Sequence, residues 1–128
     1  MFNILVVDDN QPVLDQVKQY FSGSQYAVTT AVNGLDGLDK IQKSVFDLVI
    51  IDHLMPIMNG IQLCKNIKQI DSLSKTPVIF MTTQEVSSVE FHDSTEIFDV
   101  ILAKPLEEEI LISNVEQLLN INCQAQSV

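Results

Sequence analysis

The chain has 128 residues and is 46% apolar, enough for one domain with a core of its own. Its formal net charge is -10 and every basic residue is a lysine, so no arginine is present to grip phosphate or guanine bidentately, and direct nucleic-acid binding is not expected. No apolar run approaches the roughly 20 residues of a membrane span, and Met1-Phe2-Asn3 enters a strand pattern without a basic leader. A cytoplasmic location without membrane contact is therefore expected.

Asn3 to Val7 is a near-continuous apolar run, the pattern of a strand buried on both faces. It ends in Asp8-Asp9-Asn10. Pro12 suits the first turn of a helix, with Val13, Leu14, Val17 and Phe21 following at helical spacing and Ser22-Gly23-Ser24 as the stop. Tyr26 to Thr30 is a short second strand. Asn33 can cap a second helix whose inward stripe is Leu35, Leu38 and Ile41. Leu48-Val49-Ile50-Ile51 is a third buried strand, closed by Asp52, and the loop after it ends in the turn signal Asn59-Gly60. A helix from about Gly60 turns Ile61, Cys64 and Ile67 inward. Val78 to Met81, opened by Pro77 and ending in Thr82-Thr83, is the fourth strand. Gln84 to Ile97 fits a helical period poorly and is expected to be a weak helix. Val100 to Ala103 is the fifth strand, ending at Lys104-Pro105. A last helix from about Leu106 carries Ile110, Leu111, Val115, Leu118 and Leu119 on its core face.

Strands alternating with helices imply a parallel sheet covered on both faces. Right-handed crossovers leave few topologies, and a flavodoxin-like (βα)5 three-layer sandwich with strand order 2-1-3-4-5 is expected. One domain over residues 1–120 is expected, with 121–128 a tail or the start of a linker to an effector domain absent from this chain.

In that order the ends of strands one, three and four lie side by side. Asp8, Asp9, Asp52 and Thr82 then converge, with Lys104 close by. Open α/β sheets bind ligands at this edge. Carboxylates brought together repel one another unless a cation sits among them. Hard carboxylate oxygens suit Mg²⁺ (or Mn²⁺), which keeps open positions for phosphate oxygens. Lys104 offers a point charge and Thr82 a hydroxyl donor for a phosphoryl group on Asp52. Taken singly these residues are unremarkable: Asp8-Asp9 reads equally as a solvated turn or a helix cap, and Lys104 as a surface charge. Their occurrence at successive strand ends favours the joint reading.

The sequence resembles the receiver domain of bacterial two-component response regulators. The likeness runs from about Asn3 to Leu119. It rests on Val6-Val7-Asp8-Asp9, on Asp52-His53-Leu54-Met55-Pro56-Ile57-Met58-Asn59-Gly60, on Pro77-Val78-Ile79-Phe80-Met81-Thr82 and on Lys104-Pro105. The resemblance implies that Asp52 accepts a phosphoryl group from a sensor histidine kinase or a histidine phosphotransfer protein. Asp8, Asp9, Asp52 and the backbone carbonyl of Leu54 would hold the metal. Thr82 would swing toward the phosphoryl group, Lys104 would pair with it, and the Lys104-Pro105 peptide bond would be cis. The switched surface would be the face of the fourth helix, fifth strand and fifth helix, serving an effector domain, a target protein or a homodimer. Such a module is not an enzyme beyond its own phosphotransfer and dephosphorylation.

The likeness has departures. Ile101 stands where the family often has an aromatic switch residue, and Ile97-Phe98 replaces its usual Gly-Ala. The fourth helix is therefore expected to end differently, with Phe98 adding an apolar contact to the partner-binding face. Leu54 and Gln84 occupy positions that tune phosphoryl loss in the family; Leu54 cannot hydrogen-bond an attacking water, so a long-lived phosphorylated state is expected. His53 lacks a partner histidine and is expected to point away from the site. Two alternatives remain: a phosphorylation-independent interaction module, and a Mg-dependent aspartyl-phosphate phosphatase. The second requires an acid/base aspartate where Leu54 stands.

Overall fold

A computed structural model describes residues 1–23, 25–84 and 97–119. The elements are β1 (Phe2–Val7), α1 (Gln11–Tyr20), β2 (Tyr26–Ala31), α2 (Gly34–Lys43), β3 (Leu48–Asp52), α3 (Gly60–Lys68), a short 3-10 turn (Asp71–Leu73), β4 (Val78–Thr82), β5 (Val100–Ala103) and a C-terminal helix (Glu108–Leu118). The strands form one parallel sheet in the order β2-β1-β3-β4-β5, as expected. The fold is flavodoxin-like. The helix expected over Gln84 to Ile97 falls, except at its two ends, outside the described residues, as do His92, Cys123 and the tail from 121.

Side chains along a strand alternate between faces, and here the alternation sorts the core into two layers. Ile4, Val6, Leu48, Ile50, Ile79 and Met81 face Leu14 and Val17 of α1 and Leu111 and Val115 of the C-terminal helix. Leu5, Val7, Val49, Ile51, Val78 and Phe80 face Ile41 of α2 and Ile61, Leu63, Cys64 and Ile67 of α3. β1, β3 and β4 are buried on both sides, which explains why their sequences show no polar alternation. Burial pushes the Cys64 thiol up to about 12, against a small lowering by Lys68, so it is an inert protonated core residue.

Two helices present slightly different faces from those expected. Leu35 is exposed, and α2 instead buries Gly34, Gly37 and Ile41. The reason is close approach: a Cβ on Gly37 would stand 2.9 Å from Val7 Cγ2, so the helix lies nearer the sheet than a leucine face would allow. In the C-terminal helix Leu111 and Val115 are buried while Ile110 is exposed. The starts of α1, α2 and α3 are prepared locally. Asn10 and Asn33 accept backbone N–H groups of α1 and α2, and Asn59 with Gln62 closes a reciprocal capping box on α3.

Candidate functional site

The carboxyl ends of the strands carry Asp8, Asp52, His53, Thr82 and Lys104, and strand alternation decides which side of the sheet each one joins. Asp8 continues the phase of Ile4 and Val6, Asp52 that of Leu48 and Ile50, and Lys104 that of Val100 and Leu102. All three therefore rise on the α1 side. Thr82 continues the phase of Val78 and Phe80, and His53 that of Val49 and Ile51. These two rise on the α3 side. The backbone ladder is prolonged past the strands to hold them: Asp8 N–H donates to Ala31, His53 N–H to Met81 and Lys104 N–H to Thr82.

On the α1 side, Lys104 Nζ donates to Asp8 Oδ2 and to Asp52 Oδ1, both at 3.0 Å. Asp8 and Asp52 are buried, while Asp9 is exposed at the rim. The remaining oxygen of Asp8 is also used: Oδ1 accepts the Asn10 N–H at 2.9 Å, fixing the turn into α1. Carboxylate oxygens of Asp8, Asp9 and Asp52 all lie within 4.8 Å of one another. Burial, then the neighbouring charge of Asp8, push the Asp52 carboxyl above the usual aspartate value, although Lys104 opposes this. For Lys104, burial alone would lower the ammonium pKa, and its bonds to Asp8 and Asp52 more than reverse that. A raised lysine contributes stability that is fully present below its ordinary pKa. That contribution fades only as pH rises through the higher folded value, so the pair persists through neutrality.

Three oxygen donors with one counter-charge fit a hard divalent cation. Lys104 supplies one positive charge against three carboxylates, so net negative charge remains for a cation to neutralise. This acidic triad is of the kind that receiver domains use for Mg²⁺.

On the α3 side, the fully buried Thr82 hydroxyl accepts the Gln84 N–H at 3.0 Å and lies 3.0 Å from His53 Nδ1. The His53 ring packs on Phe80, centroids 5.3 Å apart. His53 points away from the Asp8, Asp52 and Lys104 cluster, as expected, and on its own side of the sheet it is 1% exposed and within hydrogen-bond distance of the Thr82 hydroxyl. The signal available in the sequence was register: β3 and β4 are neighbours, so the polar residue just past one meets the polar residue ending the other.

Phe98 also departs from expectation. Far from enlarging an outer face, it is buried and stacked on Phe80, with centroids 4.6 Å apart and planes 17° from parallel. A phenyl ring gains more from burial and an offset stack than from exposure. Half-buried Ile101 packs in the same cluster. The Lys104-Pro105 bond is cis, as the resemblance implied.

The β3–α3 loop adds a strained residue. Ile57 has φ 71°, and Met58 N–H donates to the Pro56 carbonyl across it, a tight three-residue turn. A β-branched residue pays for positive φ, and Ile57 is 78% exposed, so little burial offsets the cost. Ile57→Gly is expected to stabilise the fold by about 1 kcal/mol, read as a higher urea midpoint at unchanged slope.

A flavodoxin-like sheet with a lysine-bridged acidic cluster at its strand ends is the arrangement of a receiver-type signalling module. The chain belongs to the response regulator receiver domain family, whose model matches residues 4–116. It is 30% identical over 118 residues to "Probable transcriptional regulator ycf29" of Porphyra purpurea, covering 92% of this chain and 56% of that protein. It is 30% identical over 119 residues to "Response regulator ArlR" of Staphylococcus aureus, covering 93% and 53%. The chain thus spans about half the length of these curated relatives. Among solved structures, chemotaxis protein CheY4 of Vibrio cholerae superposes with a TM-score of 0.85 at 30% identity, covering 93% of this chain and 99% of that one.

Proposed function

We propose that Asp52 is the phosphoacceptor of this receiver domain and that Asp8, Asp9, Asp52 and the Leu54 carbonyl hold Mg²⁺ (or Mn²⁺) beside it. The observation that carries this reading is the sharing of Lys104 between Asp8 and Asp52 at the end of the central strand. A sensor histidine kinase or a histidine phosphotransfer protein supplies the phosphoryl group. An Asp52 oxygen forms the new P–O bond as the donor's P–N bond breaks. The electron pair stays on the donor imidazole nitrogen, which takes up a proton. When bound, the metal ion neutralises phosphoryl oxygens and lets the carboxylates approach without repulsion.

This chain's residues do the rest. Lys104 already sits at Asp52 Oδ1, so it can follow the phosphoryl charge with a small movement. The Thr82 hydroxyl supplies a donor to the same group. Phosphorylation adds about two negative charges. Contacts made only in the phosphorylated arrangement shift the population toward it, and the face around β5 and the C-terminal helix carries the change to a target protein, an effector domain or a second copy. A cleft lined by Asn10, Val13, Gln16, Thr83, Lys104 and Pro105 opens beside the site and suits the approach of a phosphodonor's helix. A cytoplasmic location follows from such a partner; among the described residues no helix is long and apolar enough to cross a membrane.

The test is intact-mass spectrometry after incubation with acetyl phosphate and Mg²⁺. A single phosphoryl adduct, absent from Asp52→Asn and absent without the metal, is expected. An adduct that survives in Asp52→Asn, or none in the wild type, contradicts the assignment. The Leu54 side chain offers no hydrogen bond to an attacking water, so the adduct is expected to persist for minutes or longer; timing its decay checks this, and loss within seconds would reject it.

A further inference from the structure

Thr82 and Asp52 end adjacent strands, yet their side chains leave the sheet on opposite sides. Thr82 shares the α3 side with His53 because both carry the phase of the layer that contains Ile51 and Phe80. There the hydroxyl has two partners, the Gln84 N–H and His53 Nδ1, each at 3.0 Å, and it is fully buried. His53 is itself immobilised: it is 1% exposed, its ring lies against Phe80, and its carbonyl accepts the Gly60 N–H at 2.7 Å. A rigid acceptor or donor is therefore presented to a hydroxyl with a single proton and two lone pairs.

We propose that His53 is a positioning residue that latches Thr82 in the unphosphorylated arrangement, so that the His53–Thr82 hydrogen bond sets the threshold for switching. The inference rests on the reading of Asp52 as phosphoacceptor and of Thr82 as a donor to the phosphoryl group. To reach that group the hydroxyl must leave Nδ1 and cross the upper edge of the sheet. The bond is thus present in one state and absent in the other, which is the condition for a contact to bias an equilibrium. A buried hydroxyl stripped of its partner in the resting state loses part of what holds it there. Removing the latch therefore favours the switched state. The receiver becomes more responsive, where loss of Thr82 itself would make it less so.

Two substitutions separate the hydrogen bond from the packing. His53→Phe keeps a ring against Phe80 and removes the bond. His53→Asn places a polar side-chain atom near the former Nδ1 and removes the ring. The readout is titration of the full chain with beryllofluoride, a phosphoryl mimic, in excess Mg²⁺, followed by backbone amide chemical shifts. Urea midpoints establish that each variant is folded. His53→Phe is expected to reach half-saturation at a roughly five-fold lower concentration, the size of one net hydrogen bond, and His53→Asn to restore a value near wild type. In the Thr82→Ala background His53→Phe should change nothing.

Equal shifts for Phe and Asn would assign the effect to packing and overturn the latch, as would an unshifted His53→Phe. A wild-type protein that gives no beryllofluoride response would instead remove the phosphoacceptor reading, and the latch with it. One measurement needs no variant: the His53 ring-nitrogen resonances of the wild type should move when beryllofluoride saturates the site. Resonances that stay fixed while the Asp52 region responds would also overturn the proposal.

Discussion

Gly60→Ala is expected to destabilise the domain by about 3 kcal/mol or more and to abolish phosphoryl uptake in whatever fraction still folds. Gly60 is the first residue of α3, and no glycine here has positive φ, so freedom in the left-handed region is not what the position needs. Space is what it needs. A Cβ on Gly60 would overlap the carbonyl oxygen of Asp52 outright and stand 2.8 Å from Phe80 Cε1 and 2.9 Å from the Asp52 carbonyl carbon. Its N–H also donates to the His53 carbonyl at 2.7 Å. The helix is bolted onto the end of β3, and the atom a methyl would overlap is a backbone carbonyl oxygen, which cannot rotate aside. Relief must move either α3 or Asp52. Urea denaturation and acetyl-phosphate labelling of the same preparation read both consequences; a variant within 1 kcal/mol of wild type that labels normally would show that the contact is looser than described.

Lys104→Met should be the second large loss, about 3 kcal/mol near neutral pH in the absence of divalent cation. Methionine keeps much of the stem's volume but leaves Asp8 and Asp52 buried side by side without their shared ammonium. The sign with pH follows from the carboxyls. Asp52 is already raised by burial and by Asp8, and removal of Lys104 raises it further. An acid with a folded pKa above its unfolded value contributes favourably below the unfolded value, and the contribution is lost as pH rises through the folded one. The variant's deficit must therefore shrink as the solution is acidified. Mg²⁺ should restore more stability to the variant than to the wild type, since a cation replaces the missing charge. Urea midpoints at neutral and mildly acidic pH, with and without Mg²⁺, give the four values needed. A deficit that grows on acidification would contradict the charge argument.

Both predictions concern residues present in the sequence motif, yet only one was chemically legible there. Lys104 stood out because a lysine follows a strand pattern and faces acids at other strand ends. Gly60 was readable only as a turn signal, whereas its requirement comes from the distance between α3 and β3. The same division runs through the site. Asp8, Asp9 and Asp52 were recognisable as one cluster because the sheet order places their strands together. The partner of Thr82 is not legible in the sequence, because His53 has no metal-like spacing and the two residues are remote in sequence. The place of Phe98 between helix and strand predicts an outer face, and the stack on Phe80 overrules that.

Local pattern determined the five strands and their alternation with helices, and right-handed crossovers then left few strand orders, the observed one among them. It also determined which carboxylates and which lysine meet, because strand ends in a known order are adjacent. Tertiary structure decided what depends on side and distance. The phase of each strand sends Asp8, Asp52 and Lys104 to one face and Thr82 and His53 to the other. The close seating of α2 and α3 explains the glycines and exposes Leu35. Those outcomes follow from packing two layers onto one twisted sheet, where a shift of one residue reverses a side chain's face and an extra methyl cannot be accommodated.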